Sequence, residues 1–205
     1  ASACTAPGAT CTSGQVAKND LFEWQTRLDA ALPNGEGIAV SAGSDNAIGL
    51  GELRNVIGGN AGPRVVLRSP DVNPDFTSIR GNWIGLNDNG DALGNGGAGI
   101  LLMDVSNASI ENNVIAANLH GVLLQGTSSG NVVDGNTIGL ASDGDTVAGN
   151  QEDGVAVEGS LNVISFNVIG GNGGLGIDLG PNADGTRIIG NRIGTDPEGA
   201  VARPN

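Results

Sequence analysis

The sequence predicts an all-β chain: a parallel β-helix of about six coils with one amphipathic α-helix at its N-terminus. Three observations carry this: a tripeptide Asn-x-Ile that recurs six times, apolar columns at fixed offsets from it, and a first segment with a different periodicity. The tripeptides are Asn55-Val56-Ile57, Asn82-Trp83-Ile84, Asn113-Val114-Ile115, Asn136-Thr137-Ile138, Asn167-Val168-Ile169 and Asn191-Arg192-Ile193, with asparagine steps of 27, 31, 23, 31 and 24 residues. Three positions ahead of the asparagine stand Ile79, Ile110, Val133, Ile164 and Ile188, a column that only the first copy lacks. A third run, "RVVLR", "GILLM", "GVLLQ", "GVAVE" and "GIDLG", completes each repeat.

Each unit therefore offers three short strands with period-two alternation, separated by glycine and asparagine turns. Such a unit cannot bury its own apolar face, whereas stacked units share a continuous column of side chains. Ile57, Ile84, Ile115, Ile138, Ile169 and Ile193 should point inward, as should Val65, Ile100, Val122, Val155 and Ile177, and Leu67, Leu102, Leu124, Val157 and Leu179. The repeated asparagines read as a ladder, because stacked amides hydrogen-bond from coil to coil and asparagine tolerates left-handed backbone angles. The composition suits this: 36 glycines, three phenylalanines, two tryptophans and no tyrosine leave Ile, Val and Leu to build the core.

The coils alternate in length. A second asparagine follows the first after five residues in one set (Asn60, Asn118, Asn172) and after 13 or 14 in the other (Asn95, Asn150, Asn205). The longer coils thus carry inserted loops, "GLNDNGDAL", "GLASDGDTV" and "GTDPEGAVA", which should project from one edge, two coils apart. Their polar residues Asp88, Asn89, Asp91, Asp143, Asp145, Asp196 and Glu198 are the candidate contact edge. Variation in such loops need not disturb the inward ladders.

Calcium is the cofactor to weigh, since the first loop crowds oxygen ligands around glycine. Counted from Asn87, an EF-hand register places Asn89 and Asp91 correctly but puts Ala92 and Ala98 where glycine and glutamate belong. The run Gly173-Gly174-Leu175-Gly176-Ile177-Asp178 fits a calcium-binding nonapeptide once, without tandem copies. The expectation is no cofactor, with calcium the alternative. No catalytic cluster is legible either: the outward column Val66, Leu101, Leu123, Ala156 and Asp178 is mostly apolar, and His120 stands alone in an "NLHG" turn. The chain is expected not to be an enzyme. A formal charge of -13 with a single lysine makes nucleic acid an unfavourable partner. Arg54, Arg64, Arg68 and Arg80, in neighbouring coils, are the one group placed to form a basic strip.

Residues 1–37 differ from the rest, which assigns 38–205 to the β-helix. Ala17, Leu21, Trp24, Leu28 and Ala31 are spaced 4, 3, 4 and 3, one helical face. Thr12 with Gln15 forms a capping box and Pro33-Asn34-Gly35 stops the helix. The apolar outward column needs a cover. At about 1.5 Å per residue the helix is long enough to lie across it, and the alternative is a cap over the first coil. Cys4 and Cys11, the only cysteines, sit in a short loop ahead of the helix and are expected to form a local disulfide, which places the protein outside the cytoplasm.

The repeats resemble the right-handed parallel β-helix repeats of many bacterial surface proteins, and the handedness is implied by that resemblance. The arrangement Cys4...Cys11-Thr12...Gln15-Val16-Ala17...Asp20-Leu21...Glu23-Trp24-Gln25...Leu28...Leu32-Pro33...Gly35-Glu36-Gly37 resembles PilV-like type IV pilus minor pilins in the segment after their membrane helix. The resemblance implies a head displayed on an extracellular pilus, assembled from the periplasm or inner membrane. Its partners would be other pilins, through the N-terminal helix, and a surface or glycan ligand at the head, near the tip. Membrane contact would come only through a hydrophobic helix ahead of Ala1. The usual small β-sheet head is replaced by the β-helix. Three other readings stand beside this one: a DNA-uptake pilin, a polysaccharide-degrading enzyme, and a structural surface β-helix.

Overall fold

In a computed structural model of the chain, residues 38–40, 47–48, 54–62, 65–68 and 77–205 are described. They form eighteen short strands in six coils of three. The coils are β1 (Ile38–Val40), β2 (Ala47–Ile48), β3 (Val56–Ile57); β4 (Val65–Arg68), β5 (Ser78–Arg80), β6 (Trp83–Ile84); β7 (Ile100–Met103), β8 (Ser109–Glu111), β9 (Val114–Ile115); β10 (Val122–Gln125), β11 (Val132–Asp134), β12 (Thr137–Ile138); β13 (Val155–Val157), β14 (Val163–Ser165), β15 (Val168–Ile169); and β16 (Ile177–Leu179), β17 (Arg187–Ile189), β18 (Arg192–Ile193). Every third strand pairs in parallel with its counterpart one coil away, giving three six-stranded sheets. This is the parallel β-helix that the repeats predict.

The inward columns meet as expected. Ile84, Ile115, Ile138 and Ile169 stack in the third sheet, Val65, Ile100, Val122 and Val155 in the first, and all are fully buried in one continuous cluster. On the sixth coil, which has a described neighbour on one side only, Leu179, Ile188 and Ile193 are exposed. One expectation is corrected: the first copy does not lack the second-sheet column. Ile48 pairs with Ile79 and is buried. It stands seven residues ahead of Asn55 instead of three, because the chain between them is longer.

The first asparagine ladder runs unbroken. The backbone N–H and Nδ2 of each asparagine donate to Oδ1 of the next, from Asn55 through Asn82, Asn113, Asn136 and Asn167 to Asn191, at 2.7–3.2 Å. The remaining Nδ2 proton reaches a strand carbonyl, as from Asn113 to Ile79 O and from Asn136 to Ile110 O. A second ladder joins Asn60, Asn95, Asn118, Asn150, Asn172 and Asn205 in the same way. A third, shorter ladder is new to the structure: Asn131 donates to Asn162 Oδ1 and accepts from Ala108 N–H.

These buried amides are fully partnered, and that is the condition on which polar groups are tolerated in an interior. The ladder asparagines do not take left-handed angles. That conformation belongs to the residue just before: Gly81, Asn112, Gly135, Phe166 and Gly190 ahead of the first ladder, and Asn107, Gly130, Leu161 and Gly185 ahead of the third.

The outward column of the first sheet is not an exposed stripe. Val66 and Leu101 are buried with Ala98 in a second apolar cluster, against which Met103 and Leu123 pack. The amphipathic helix and the Cys4–Cys11 disulfide lie outside the described residues. Among those residues no helix is long and apolar enough to cross a membrane.

Candidate functional site

The three inserted loops become tongues. Each leaves the third sheet at a left-handed glycine (Gly85, Gly139, Gly194) and closes on a single antiparallel bridge, Leu86 to Ala92, Leu140 to Val147 and Thr195 to Ala202. The return strand then donates to the root glycine: Leu93, Ala148 and Arg203 N–H to the carbonyls of Gly85, Gly139 and Gly194 at 2.7–3.0 Å. The first two tongues are pinned inward by Leu86 and Leu140, both fully buried. In the sequence both leucines belong to the inserted loops.

Each tongue organises its tip with one side chain. Asn87 Oδ1 accepts from the N–H groups of Asn89 and Asp91, at 2.9 and 3.0 Å. Asp143 Oδ1 accepts from Asp145 and Thr146 N–H, and the Thr146 hydroxyl donates to Asp143 Oδ2 at 2.6 Å. Asp196 Oδ1 accepts from Ala200 N–H at 2.7 Å. The Thr146 hydroxyl, then the N–H groups of Thr146 and Asp145, hold the Asp143 carboxyl below the usual range. At Asp196 burial opposes ionisation, but the N–H groups of Ala200, Val201 and Gly199 together with Arg203 outweigh it and the carboxyl is again lowered.

The tongues stack on one another along that edge. A Cβ on Gly90 would lie 2.0 Å from Ser142 Oγ, so the first tip rests directly on the second. A Cβ on Gly144 would come within 3.0 Å of Pro197 in the third. Arg203 donates from Nε to Asp145 O at 2.8 Å and forms an ion pair with the Asp145 carboxylate. A hollow of about 270 Å³ opens between the first two tongues, lined by Asn89, Asp91, Ser142, Asp143 and Thr146 among others. Of the residues named from sequence, Asp88, Asn89, Asp91, Asp143, Asp145 and Glu198 are exposed on this ridge. Asp196 differs from them: it is only 5% exposed and its carboxylate accepts from Ala200 N–H inside its own turn. Ser142, Thr146, Pro197 and Arg203 join the ridge unannounced, although the 54-residue spacing of the loops was the signal that would have found them.

His120 is not solitary: Nε2 lies 3.0 Å from Glu152 and Nδ1 3.5 Å from Asp153, with the side chain 17% exposed. Asp104 and Glu158 approach the same turn, Asp104 Oδ1 accepting from Thr127 N–H and hydroxyl and Glu158 Oε2 from Gly126 N–H. Of the four arginines Arg80 pairs with Glu111 and Arg54 lies over the Trp83 ring at 3.8 Å, while Arg64 lies outside the described residues.

A calcium ion would need several free oxygens converging on one point. On the tongues the carboxylates of Asp143 and Asp196 are turned onto their own backbone N–H groups and that of Asp145 onto Arg203, and among the described residues no group of three or more His, Cys, Asp and Glu is placed to hold a metal.

A family model described as "Periplasmic copper-binding protein (NosD)" matches residues 80–201. No curated protein and no solved structure matches the chain. Copper takes imidazole, thiolate and thioether donors. The chain has one histidine and one methionine, and its two cysteines lie outside the described residues. The two ring nitrogens of His120 face different carboxylates, Met103 packs on the outer apolar cluster, and among the described residues no group of three or more His, Cys, Asp and Glu is placed to hold a metal. The described residues therefore do not fit a copper centre. The match nonetheless spans more than half of the chain, and on that ground the protein belongs to the NosD family of periplasmic proteins.

Proposed function

We propose that the β-helix is a non-enzymatic binding head presented from the cell envelope, with the stacked tongues as its contact edge. The single observation behind this is the ridge itself: three tongues in direct contact, carrying exposed Asp88, Asn89, Asp91, Asp143 and Glu198 along one edge of a rigid stack. Side chains on such a scaffold are positioned with little loss of conformational freedom on binding. The N-terminal resemblance extends the proposal: the head is that of a type IV pilus minor pilin, held to its neighbours through the N-terminal helix and serving adhesion near the tip.

Removing Asn87 to Leu93 tests the edge. The thermal transition should persist while adherence of cells carrying the shortened protein falls to background; adherence at the normal level overturns the edge assignment. Sheared filaments from cells expressing an epitope-tagged full-length gene test the pilin reading separately. Absence of the tag from filaments, with the protein present in the envelope, overturns it.

A further inference from the structure

The outer face of the second sheet changes character from coil to coil. Strand pairing fixes its rows: Val132, Val163 and Arg187 stand side by side in coils four, five and six, as do Asp134, Ser165 and Ile189, all on the side opposite the inward Val133 and Ile164. Two larger side chains frame the middle row. Leu161, shortly before β14, and Phe166, just after it, are 64% and 65% exposed and have φ of +59 and +52.

Fifty-four residues earlier, two coils away, the same positions hold Asn107 and Asn112 at φ +59 and +53. A left-handed conformation suits asparagine and is an outlier for a bulky residue. Coil five therefore carries two apolar side chains where its neighbours carry asparagine or glycine, and burial within the described residues does not offset their strain. Both lean over coil six, where a Cβ on Gly185 would come within 2.8 Å of Leu161 Cδ2 and one on Gly190 within 2.7 Å of Phe166 Cε1. The glycines leave them room without covering them. With Val132, Val163 and Ile189 they form an apolar centre roughly 16 Å along the strand and roughly 10 Å across three coils.

The charges are arranged about that centre, with Arg187 on its coil-six side and Asp134 on its coil-four side. Arg187 makes no ion pair with the described residues, whereas Arg80 is held by Glu111 and Arg203 by Asp145. Asp134 Oδ1 accepts from Ser165 Oγ at 2.5 Å, and its Oδ2 has no partner among the described residues. A cation and a carboxylate on opposite flanks of an apolar row are self-complementary under a twofold axis laid along β14.

We propose that this face pairs with the same face of a second copy of the chain. Leu161, Val163 and Phe166 meet their own counterparts, coil six of one copy lies over coil four of the other, and Arg187 reaches diagonally to the partner's Asp134. The axis makes that pair twice. The contact is smaller than the about 800 Å² per partner of a standard interface, so the dimer is weak. The formal charge of -13 on each copy opposes it at low salt. At physiological ionic strength that repulsion is screened beyond about 8 Å. The face belongs to the second sheet and the tongues leave the third, so this pairing does not rest on the tongue edge.

Sedimentation equilibrium of the chain in physiological salt, at concentrations up to about 0.5 mM, tests it. The weight-average mass should rise with concentration toward the dimer and stop there, because an isologous contact closes on itself. The double variant Leu161→Asn, Phe166→Asn borrows the residues of the equivalent coil and should abolish the rise while Tm holds or increases. Arg187→Asp should weaken the dimer at least about tenfold, since the axis counts the lost pair twice, and Arg187→Asp combined with Asp134→Arg should restore it. Four results overturn the proposal: a monomer at every concentration, a mass that climbs past the dimer, a folded double-asparagine variant that still dimerises, or a folded charge-exchanged variant that stays as weak as Arg187→Asp.

Discussion

The asparagine ladders and the acidic tongues use the same small set of residues, Asn, Asp and Gly, to opposite ends. In the ladders the amides of the inner coils are buried and bonded to the next coil, so an asparagine belongs to its neighbours as much as to itself. In the tongues Asn87, Asp143 and Asp196 bond within four residues of their own position, and the coils meet through tip contacts and one arginine. Residue type does not decide the role; whether the partner is near or far along the chain does. Removing a ladder group strands partners in the interior, and removing a tongue group hands them to water.

That contrast is sharpest at Asn136. Its Oδ1 accepts two bonds from Asn113, and its Nδ2 serves Asn167 and Ile110 O. Asn136→Ala is expected to cost about 4 kcal/mol, since each stranded buried group costs about 1–3 kcal/mol; a loss under about 1 kcal/mol in urea unfolding would remove the ladder from the account of stability.

Next in size is the junction between the two regions. Gly85 has φ +87, and a Cβ there would lie 1.7 Å from Ala116 O. Gly85→Ala should cost about 3 kcal/mol through strain and displacement of the coil beneath, read as a fall in Tm. A variant of unchanged Tm would show that the tongue root yields easily.

The tongues should respond to acid and the ladders should not. Asp143 and Asp196 have lowered carboxyl values, so they ionise more readily folded than unfolded. Their contribution is complete above the ordinary value of 3.8 and is lost as pH falls through the lower folded values. On acidification the amide signals of Thr146 and Ala200 should titrate while those of Asn113 and Asn136 stay fixed, and concerted movement of all four would contradict the division. Smallest is Arg203→Ala: its exposed pair with Asp145 should be worth less than about 0.5 kcal/mol by double-mutant cycle, and a coupling several times larger would make the ridge a cooperative unit.

The columns were legible in the sequence because their offsets are constant: Ile84, Ile115 and Ile138 each stand two residues after a ladder asparagine. Ile48 was not, because a longer connection moved it from three residues to seven. The third ladder escaped notice because only two coils place asparagine there, at Asn131 and Asn162, with Ala108 and Thr186 in the flanking coils. On the ridge, exposure of Asp88 and Asp91 followed from their glycine-rich setting. Burial of Asp196 did not, because it depends on a turn closed by Ala200 N–H, and the tip contacts of Gly90 with Ser142 and of Arg203 with Asp145 span more than fifty positions. Local chemistry read correctly from sequence; contacts between coils that are not neighbours did not.

The ladders also share a direction. In all three, Nδ2 points toward the later coil and Oδ1 toward the earlier one. The amide dipoles therefore add along the axis, positive toward the sixth coil. Two full-length columns and one partial column give the solenoid a permanent electrical polarity that no side chain needs to ionise to create. That moment grows with each coil and is indifferent to pH, so the molecule would align in an electric field even where its carboxylates are neutral.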